Sequence, residues 1–452
     1  MAPTTSARAP RANAAAEPLA ELARRLTTKT ARVGVIGLGY VGLPLAVEFA
    51  REGFQVTGLD VDAARVANVN SARSYIPDIT NGTLKQLVGS GRLQATDKLE
   101  GLDELDAIII CVPTPLRKTR EPDISFILAA TRPIAASLRR GQLIVLESTT
   151  YPGTTDEVIL PMLQADGLKA GRDFCLAFSP ERIDPGNSFY KTRTIPKVIG
   201  GMTPRCLEAA SLLYRQVITR IVPVSSTKVA EMVKLLENTF RAVNIGLVNE
   251  IALMCDTLKL DVWEVIEAAA SKPFGFMAFY PGPGIGGHCI PSDPMYLAWK
   301  ARLHGFEARF IELADQTNRS MPHHVVEKLA SALNARRQAL NGARILLIGL
   351  AYKKDVNDLR DSPAFDVAHE LMERGARLSY HDPHVPSAQL DGRTFRSVPL
   401  TPARLKQADG VVILTNHSGV DYQLILQHAS LILDTRNQYR FLSSRSSRVV
   451  KL

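Results

Sequence analysis

One thiol stands where it could do covalent chemistry. Cys289 lies in the run Gly284-Ile285-Gly286-Gly287-His288-Cys289-Ile290-Pro291-Ser292-Asp293. Glycines let a backbone come close to a ligand, and a cysteine among them has room to attack a carbonyl carbon. Far upstream, Gly37-Leu38-Gly39-Tyr40-Val41-Gly42 follows an apolar run and has the spacing of a dinucleotide-binding turn. The two features belong to one chemistry. An aldehyde gives up a hydride readily only after something has added to its carbonyl. A thiol adds to give a thiohemiacetal, oxidation gives a thioester, and water releases an acid. His288 beside the sulfur favours the thiolate. On these residues alone, a buried structural cysteine next to a glycine turn is the competing reading.

The glycine motif gains weight from its setting. It follows a strand-like run, opens a helix-like one, and is followed by Asp60 about twenty residues on. Gly37 permits the tight turn, Gly39 the approach of a pyrophosphate, and Gly42 close helix–strand packing. The helix N-terminus would face the phosphates. Asp60 can accept from both ribose hydroxyls and would repel a 2′-phosphate, so NAD is the expected cofactor rather than NADP. A purely structural glycine turn is the alternative.

Buried strands and helices have to hold these residues. Residues 32–37 read as a buried strand, Leu43 to Glu52 as a helix, and Phe54 to Asp60 as a second strand. Asp106 to Val112 and Leu143 to Glu147 are further buried strands. Short apolar runs alternating with helical stretches predict an α/β fold, a doubly wound parallel sheet with helices on both faces. The second half repeats the scheme. Ala31 to Tyr40 aligns with Ala343 to Tyr352, Val56 to Asp60 with Leu378 to Asp382, Asp106 to Val112 with Asp409 to Thr415, and Leu143 to Glu147 with Leu431 to Asp434. Two related Rossmann-like domains would give this order, and so would chance likeness between buried strands. The second copy lacks the third glycine and runs into Lys353-Lys354-Asp355. Those lysines suit a phosphate or uridine-diphosphate contact, or a solvated charge run. Between the halves, residues 225–270 keep helical spacing with few breakers, which predicts a long central helix. Apolar on more than one side, it fits a homodimer or higher homo-oligomer.

Bulk composition excludes several classes. No apolar run reaches the ~18–20 residues a membrane helix needs. The net charge of +9 is scattered over 452 residues, whereas a nucleic-acid binder concentrates its basic residues. Scattered positive charge suits an anionic small substrate. Five cysteines, widely spaced and without metal-ligand spacing, fit a reducing compartment and no structural metal. Cys111, Cys175 and Cys255 read as small buried hydrophobes. Residues 1–28 lack the apolar core of a secretory signal and are expected to be a disordered tail ending in a short helix.

Together the motifs resemble the UDP-glucose/GDP-mannose dehydrogenase family, its bacterial UDP-N-acetylhexosamine 6-dehydrogenase branch above all. They are GLGYVGLP at 37–44, VPTP at 112–115, EST–PGTT at 147–155, SPER at 179–182 and KLLEN at 234–238. GPGIGGHCIPSDP at 282–294, GLAYKKDVNDLRDSP at 349–363 and DTRN at 434–437 complete the set. The resemblance implies a tail at 1–28, an NAD-binding Rossmann domain at 29–222, a central helical dimerisation domain with the cysteine loop at 223–325, and a UDP-sugar-binding Rossmann-like domain at 326–452.

It also implies roles. Cys289 resembles the nucleophile. Lys234 and Asn238 match residues that hold the reacting sugar and its developing oxyanion; one helical turn separates them. Asp293 and Thr149 match the pair that orders a catalytic water, and that water or Lys234 takes the alcohol proton. Glu181 matches the carboxylate that positions water for thioester hydrolysis. UDP-glucose enzymes often carry a second glutamate four residues on, where this chain has Pro185; that departure points to the amino-sugar branch. NAD would be held by Gly37, Leu38, Gly39, Tyr40, Val41, Gly42, Asp60, Arg65, Thr114, Ser148 and Arg360. The sugar nucleotide would meet Arg182, Tyr280, Gly282, Gly284, Gly286, Tyr352, Lys353 and Arg436. The implied activity is a four-electron oxidation of UDP-N-acetylglucosamine at C6 for surface polysaccharide or O-antigen, which implies a cytoplasmic enzyme. UDP-N-acetylmannosamine and UDP-N-acetylgalactosamine are the alternative substrates. A non-catalytic nucleotide-sugar sensor and a two-electron hydroxyacid-type dehydrogenase are the readings from other classes.

Overall fold

The apolar runs become strands. Arg32–Ile36 (β1), Gln55–Leu59 (β2), Leu93–Thr96 (β3), Ala107–Ile110 (β4), Leu143–Leu146 (β5), Cys175–Phe178 (β6), Lys197–Gly201 (β7) and Ile221–Val224 (β8) form one sheet in the order β3-β2-β1-β4-β5-β6-β7-β8. The computed structural model describes residues 17–76, 78–117, 119–182, 192–441 and 448–452. Alternate residues of the central strands enter two different cores. Val33, Val35, Ile109 and Val145 pack on one face, and Ile108, Ile110, Ile144 and Leu146 on the other. A strand covered on both faces must be apolar throughout, which is why Ala107-Ile108-Ile109-Ile110 shows no alternation.

The second sheet repeats this pattern. Arg344–Ile348 (β9), Arg377–His381 (β10), Gly410–Ile413 (β13), Ile432–Asp434 (β14) and Val449–Lys451 (β15) pair in parallel in the order β10-β9-β13-β14-β15. Ser387–Leu390 (β11) and Arg393–Arg396 (β12) form a separate antiparallel hairpin. The four sequence matches occupy equivalent places: β2-β1-β4-β5 in one sheet, β10-β9-β13-β14 in the other. Two Rossmann-like domains are therefore present, as the repeat predicts.

The short helix expected at the end of the N-terminal stretch is Glu17–Thr27, with Leu19, Leu22 and Leu26 buried in the first core and Arg25 paired to buried Asp106 at 3.1 Å. A one-sided apolar stripe too short to stand alone is stabilised by that packing. Two local expectations need correction. The first sheet is not parallel throughout, because β7 runs antiparallel to β6. An antiparallel neighbour needs no helical crossover, and no helix lies between Phe178 and Lys197 among the described residues. Finally, the central helix stops early. It runs Thr227–Leu258, and Val262–Ala270 is a second helix. Lys259 takes a φ of 57°, and the Leu260 N–H closes back on the Cys255 carbonyl at 2.8 Å. Asp261 then caps the next helix through the Trp263 N–H at 3.0 Å.

The chain divides into two compact units, one ending at Leu235 and the other beginning at Leu236. The division falls inside the helix Thr227–Leu258.

Candidate active site

The first unit carries the glycine turn between β1 and the helix Gly42–Arg51. Gly37 has φ +96°, and a side chain there would strike the Cys111 carbonyl. A side chain on Gly42 would strike the Gly37 carbonyl. Gly39 differs: nothing lies within 4 Å of where its Cβ would be, so the backbone there is open to an approaching ligand. Asp60 follows β2 and is 8% exposed. It accepts from the Leu38 N–H at 2.7 Å and the Asp62 N–H at 2.9 Å, and pairs with Arg65 at 3.3 Å. The acid expected to meet the ribose thus also braces the phosphate turn. A carboxylate has about four acceptor sites, so bracing leaves room for a hydroxyl. Tyr40 is exposed. Thr114 and Ser148 are buried, and the Ser148 hydroxyl donates to the Val112 carbonyl at 2.8 Å.

Thr149 and Glu181 lie at the ends of the next two strands of this sheet, after β5 and β6. Glu181 accepts from the Arg182 N–H at 2.6 Å, and the Arg182 guanidinium donates to the Pro196 carbonyl at 2.7 Å. Asp184, Pro185, Gly186 and Asn187 lie outside the described residues. The loop after Thr149 is fastened by a residue that sequence reasoning missed. Glu231 is fully buried. It accepts from the Gly153 N–H at 2.6 Å, the Thr155 N–H at 2.9 Å and the Thr155 hydroxyl at 2.6 Å. It stands three residues before Lys234, so one helix turn both clamps that loop and presents the lysine. An acid one turn from a proposed site lysine was the only available signal.

Burial lifts the Glu231 carboxyl from 4.5 to about 7, against the pull of its three donors. A group raised on folding adds stability while protonated. Its contribution is complete below 4.5 and is lost as pH rises through 7. Glu231→Gln cannot ionise and leaves one N–H without its acceptor. The variant should lose about 1–3 kcal/mol at pH 5 and show a flatter fall in Tm between pH 5 and 8 than the parent. Thermal melts across that range check both expectations.

In the second unit, Cys289 is exposed and is not in a loop, as expected, but is the first residue of the helix Cys289–Leu303. Proline is tolerated in a first helical turn, so Pro291 does not prevent this. The helical start places Asp293 one turn below Cys289 on the same face. Asp293 is 3% exposed and accepts from the Asn238 amide at 2.5 Å. Cys289, Asp293 and Asn238 are therefore brought together. Thr149, Glu181 and Lys234 belong to the first unit, and Lys234 stands one turn from Asn238 on the continuous helix.

The glycines before the thiol are packed against the second lobe. Gly286 and Gly287 lie against Tyr352, leaving no space for a side chain, and the Gly287 N–H donates to the Arg360 carbonyl at 3.0 Å. Gly284 has φ +127°. Gly282 lies against the Arg436 guanidinium and donates its N–H to Asn249 at 3.0 Å. Asn249 in turn donates to Asn318 at 2.9 Å. This buried amide pair was not legible in the sequence. Tyr280 is exposed and stacks on Trp263 with ring centroids 6.1 Å apart. Arg360 pairs with Asp358 at 2.6 Å, which raises it, with a smaller contribution from Cys289. Burial brings Arg436 down to about 10 while Asp434 supports its charge, so it stays cationic at neutral pH. Asp382, the counterpart of Asp60, accepts from Leu350 and Ala351 N–H groups at 2.7 and 3.2 Å. His417 accepts from the Asp355 N–H at Nδ1, so its Nε2 carries the proton and donates to Asp382 at 3.1 Å. Burial would raise Asp382, but His417 and the N–H donors hold it at about 2. Tyr352 and Lys353 thus sit on a braced turn.

Known proteins place this arrangement. Residues 31–218 match the NAD binding domain of UDP-glucose/GDP-mannose dehydrogenases, 228–320 their central domain and 346–441 their UDP binding domain. The chain belongs to that family. A UDP-N-acetyl-D-glucosamine 6-dehydrogenase of Pseudomonas aeruginosa is 37% identical over 392 residues, 86% of this chain and 91% of its own length. An NDP-N-acetyl-D-galactosaminuronic acid dehydrogenase of Ralstonia nicotianae is 35% identical over 403 residues, 85% of this chain and 90% of its length. A solved UDP-D-ManNAc dehydrogenase from Pyrococcus horikoshii superposes with a TM-score of 0.84 at 34% identity, covering 93% of this chain and 98% of that one. As in the rest of the UDP-glucose/GDP-mannose dehydrogenase family, the cofactor is NAD. The open backbone at Gly39, the closed packing at Gly37 and Gly42, and the carboxylate of Asp60 fit it.

Proposed function

We propose that this chain oxidises the C6 alcohol of a UDP-N-acetylhexosamine to the carboxylate, with UDP-N-acetylglucosamine as substrate. The observation that carries the chemistry is the exposed Cys289 thiol at the start of the helix that also holds Asp293, itself bonded to Asn238. NAD, when bound by the glycine turn and Asp60, takes up the two electrons of each oxidation as a hydride. The chain's own groups do the rest. Asp293 and Thr149 order a water, and that water or Lys234 removes the alcohol proton. Cys289 Sγ adds to the aldehyde carbon and is left as a thioester after the second oxidation. Lys234 and the Asn238 amide stabilise the negative oxygen formed at each addition. Glu181 positions the water that releases the acid. Tyr280, Gly282, Gly284, Gly286, Tyr352, Lys353, Arg182 and Arg436 hold the sugar nucleotide; Arg65, Thr114, Ser148 and Arg360 complete the NAD site. Relatives at similar identity are named for nucleotides of N-acetylglucosamine, N-acetylgalactosaminuronic acid and N-acetylmannosamine. A panel of UDP-sugars scored by NADH per mole consumed decides among them. Two NADH on UDP-N-acetylglucosamine is the expected result. One NADH would remove the thioester route, and binding without NADH would make the chain a sensor.

We also propose a homodimer or higher homo-oligomer in the cytoplasm, making precursors of surface polysaccharide or O-antigen. No described helix is long and apolar enough to cross a membrane. Leu236, Phe240, Leu247, Met254 and Leu258 are exposed along the central helix. They recur at intervals of four and seven residues, which keeps them on one face as in a helix–helix seam. Leu247→Glu should shift the species seen by sedimentation towards monomer while leaving far-ultraviolet circular dichroism unchanged. An unaltered mass would remove this face from the interface.

A further inference from the structure

A buried cation behind the first active-site strands has no role in the scheme above. Lys197 opens β7 and is 5% exposed. Its ammonium lies 3.1 Å from Glu147 Oε1 and 3.5 Å from Glu181 Oε2. Glu147 ends the run after β5, two residues before Thr149, and is 1% exposed. Its Oε1 also accepts from the Tyr214 hydroxyl. Its Oε2 is sealed from solvent with no partner. The ammonium also lies 5.0 Å above the Tyr214 ring.

A buried ion pair with one carboxylate oxygen unsatisfied is a poor stabilising device, since apolar residues of similar volume usually do as well. An orphaned buried oxygen needs a reason. Charge supplies one. We propose that Lys197 is a positioning residue for the hydrolytic half-reaction: anchored by Glu147, it fixes the direction of the Glu181 carboxylate. The proposal rests on the reading of Glu181 given above. In the step it serves, water oxygen bonds to the thioester carbonyl carbon, its proton passes to a Glu181 oxygen, and the carbon–sulfur bond breaks to release the Cys289 thiolate. No electrons are exchanged. Deleting the cation removes the contact that aims the acceptor carboxylate.

The groups facing this centre are Glu147 after β5, Glu181 after β6, Lys197 on β7, Tyr214 at the end of the helix Pro204–Tyr214, and Cys111 after β4. Burial opposes the charge of Lys197, but Glu147 and then Glu181 outweigh it and raise the ammonium. Burial raises Glu147, with Lys197 pulling the other way. Burial and Glu147 push up both the Tyr214 hydroxyl and the Cys111 thiol. Lys197 is therefore the cation that balances the cluster.

The test uses the full chain, NAD and the UDP-N-acetylhexosamine that the parent oxidises. Lys197→Met should leave the rapid NADH burst in place and slow acid release by about 10–100-fold near neutral pH. The acyl-enzyme should accumulate, visible as added mass on Cys289. Lys197→Arg should restore most of the rate of acid release. Because Lys197→Met strands Glu147, the double variant E147Q/K197M serves if the single one does not fold, with the same accumulation of acyl-enzyme expected. A burst and acid release that fall together, with no accumulated mass in folded protein, would reduce Lys197 to a structural residue. A parent that never forms the acyl-enzyme would instead remove the thioester reading, and this inference with it.

Discussion

Cys289→Ala should lower acid formation by at least about a thousandfold and leave NAD affinity unchanged. The residue is exposed at the first position of its helix, where alanine is a good helix former, so the fold should survive. The glycine turn proposed to hold NAD lies in the other unit, so the cofactor should still bind. What the variant lacks is the atom that adds to the aldehyde. Oxidation then stops at one NADH per sugar at most, with aldehyde or its hydrate as the product. Mass spectrometry of the product and the NADH yield read the two halves separately. Full four-electron turnover by the alanine variant would overturn the thioester proposal.

The sequence made some of this site legible because the constraints there are local. Gly37 and Gly42 are glycines because backbone carbonyls occupy the space a side chain needs, and such constraints leave a short motif. The two sheets were legible because β4 and β13 are buried on both faces and must be apolar throughout. The end of the central helix was not. Its stop uses Lys259 at positive φ rather than glycine, so only the Asp261 cap hinted at it. The N-terminal helix was half legible: its apolar stripe was short, and the core it packs on is formed by strands far along the chain.

The supporting polar residues were illegible for the same reason. Glu231, Glu147, Lys197, Asn249 and Asn318 act across long sequence separations. Nothing next to any of them names its partner. A buried acid becomes informative only once its donors are known, and Asp60 shows this in reverse. Its place about twenty residues after the turn predicted a ribose contact, but no spacing rule reveals that it also binds the Leu38 N–H.

That double duty gives Asp60 a separable pair of effects. Asp60→Ala removes the acceptor of the Leu38 and Asp62 N–H groups and the partner of Arg65. Hydrogen bonds to a charged group contribute about 1.5–3 kcal/mol each, and a factor of ten is 1.4 kcal/mol. NAD affinity should therefore fall by about 10–100-fold, accompanied by a lower Tm. Discrimination against NADP should relax, because the negative charge that repels a 2′-phosphate is gone while Arg65 remains to receive it. Asp60→Asn divides the two contributions. Its amide oxygen can still accept from Leu38 but its NH2 group cannot accept from Asp62, so the Tm should fall less than in the alanine variant, while the repelling charge is absent and the NADP preference should shift as in that variant. Titration of both variants with both cofactors, beside thermal melts, makes the comparison. If Asp60→Asn discriminates as the parent does, charge at Asp60 does not choose the cofactor and its bracing of the turn is its whole contribution.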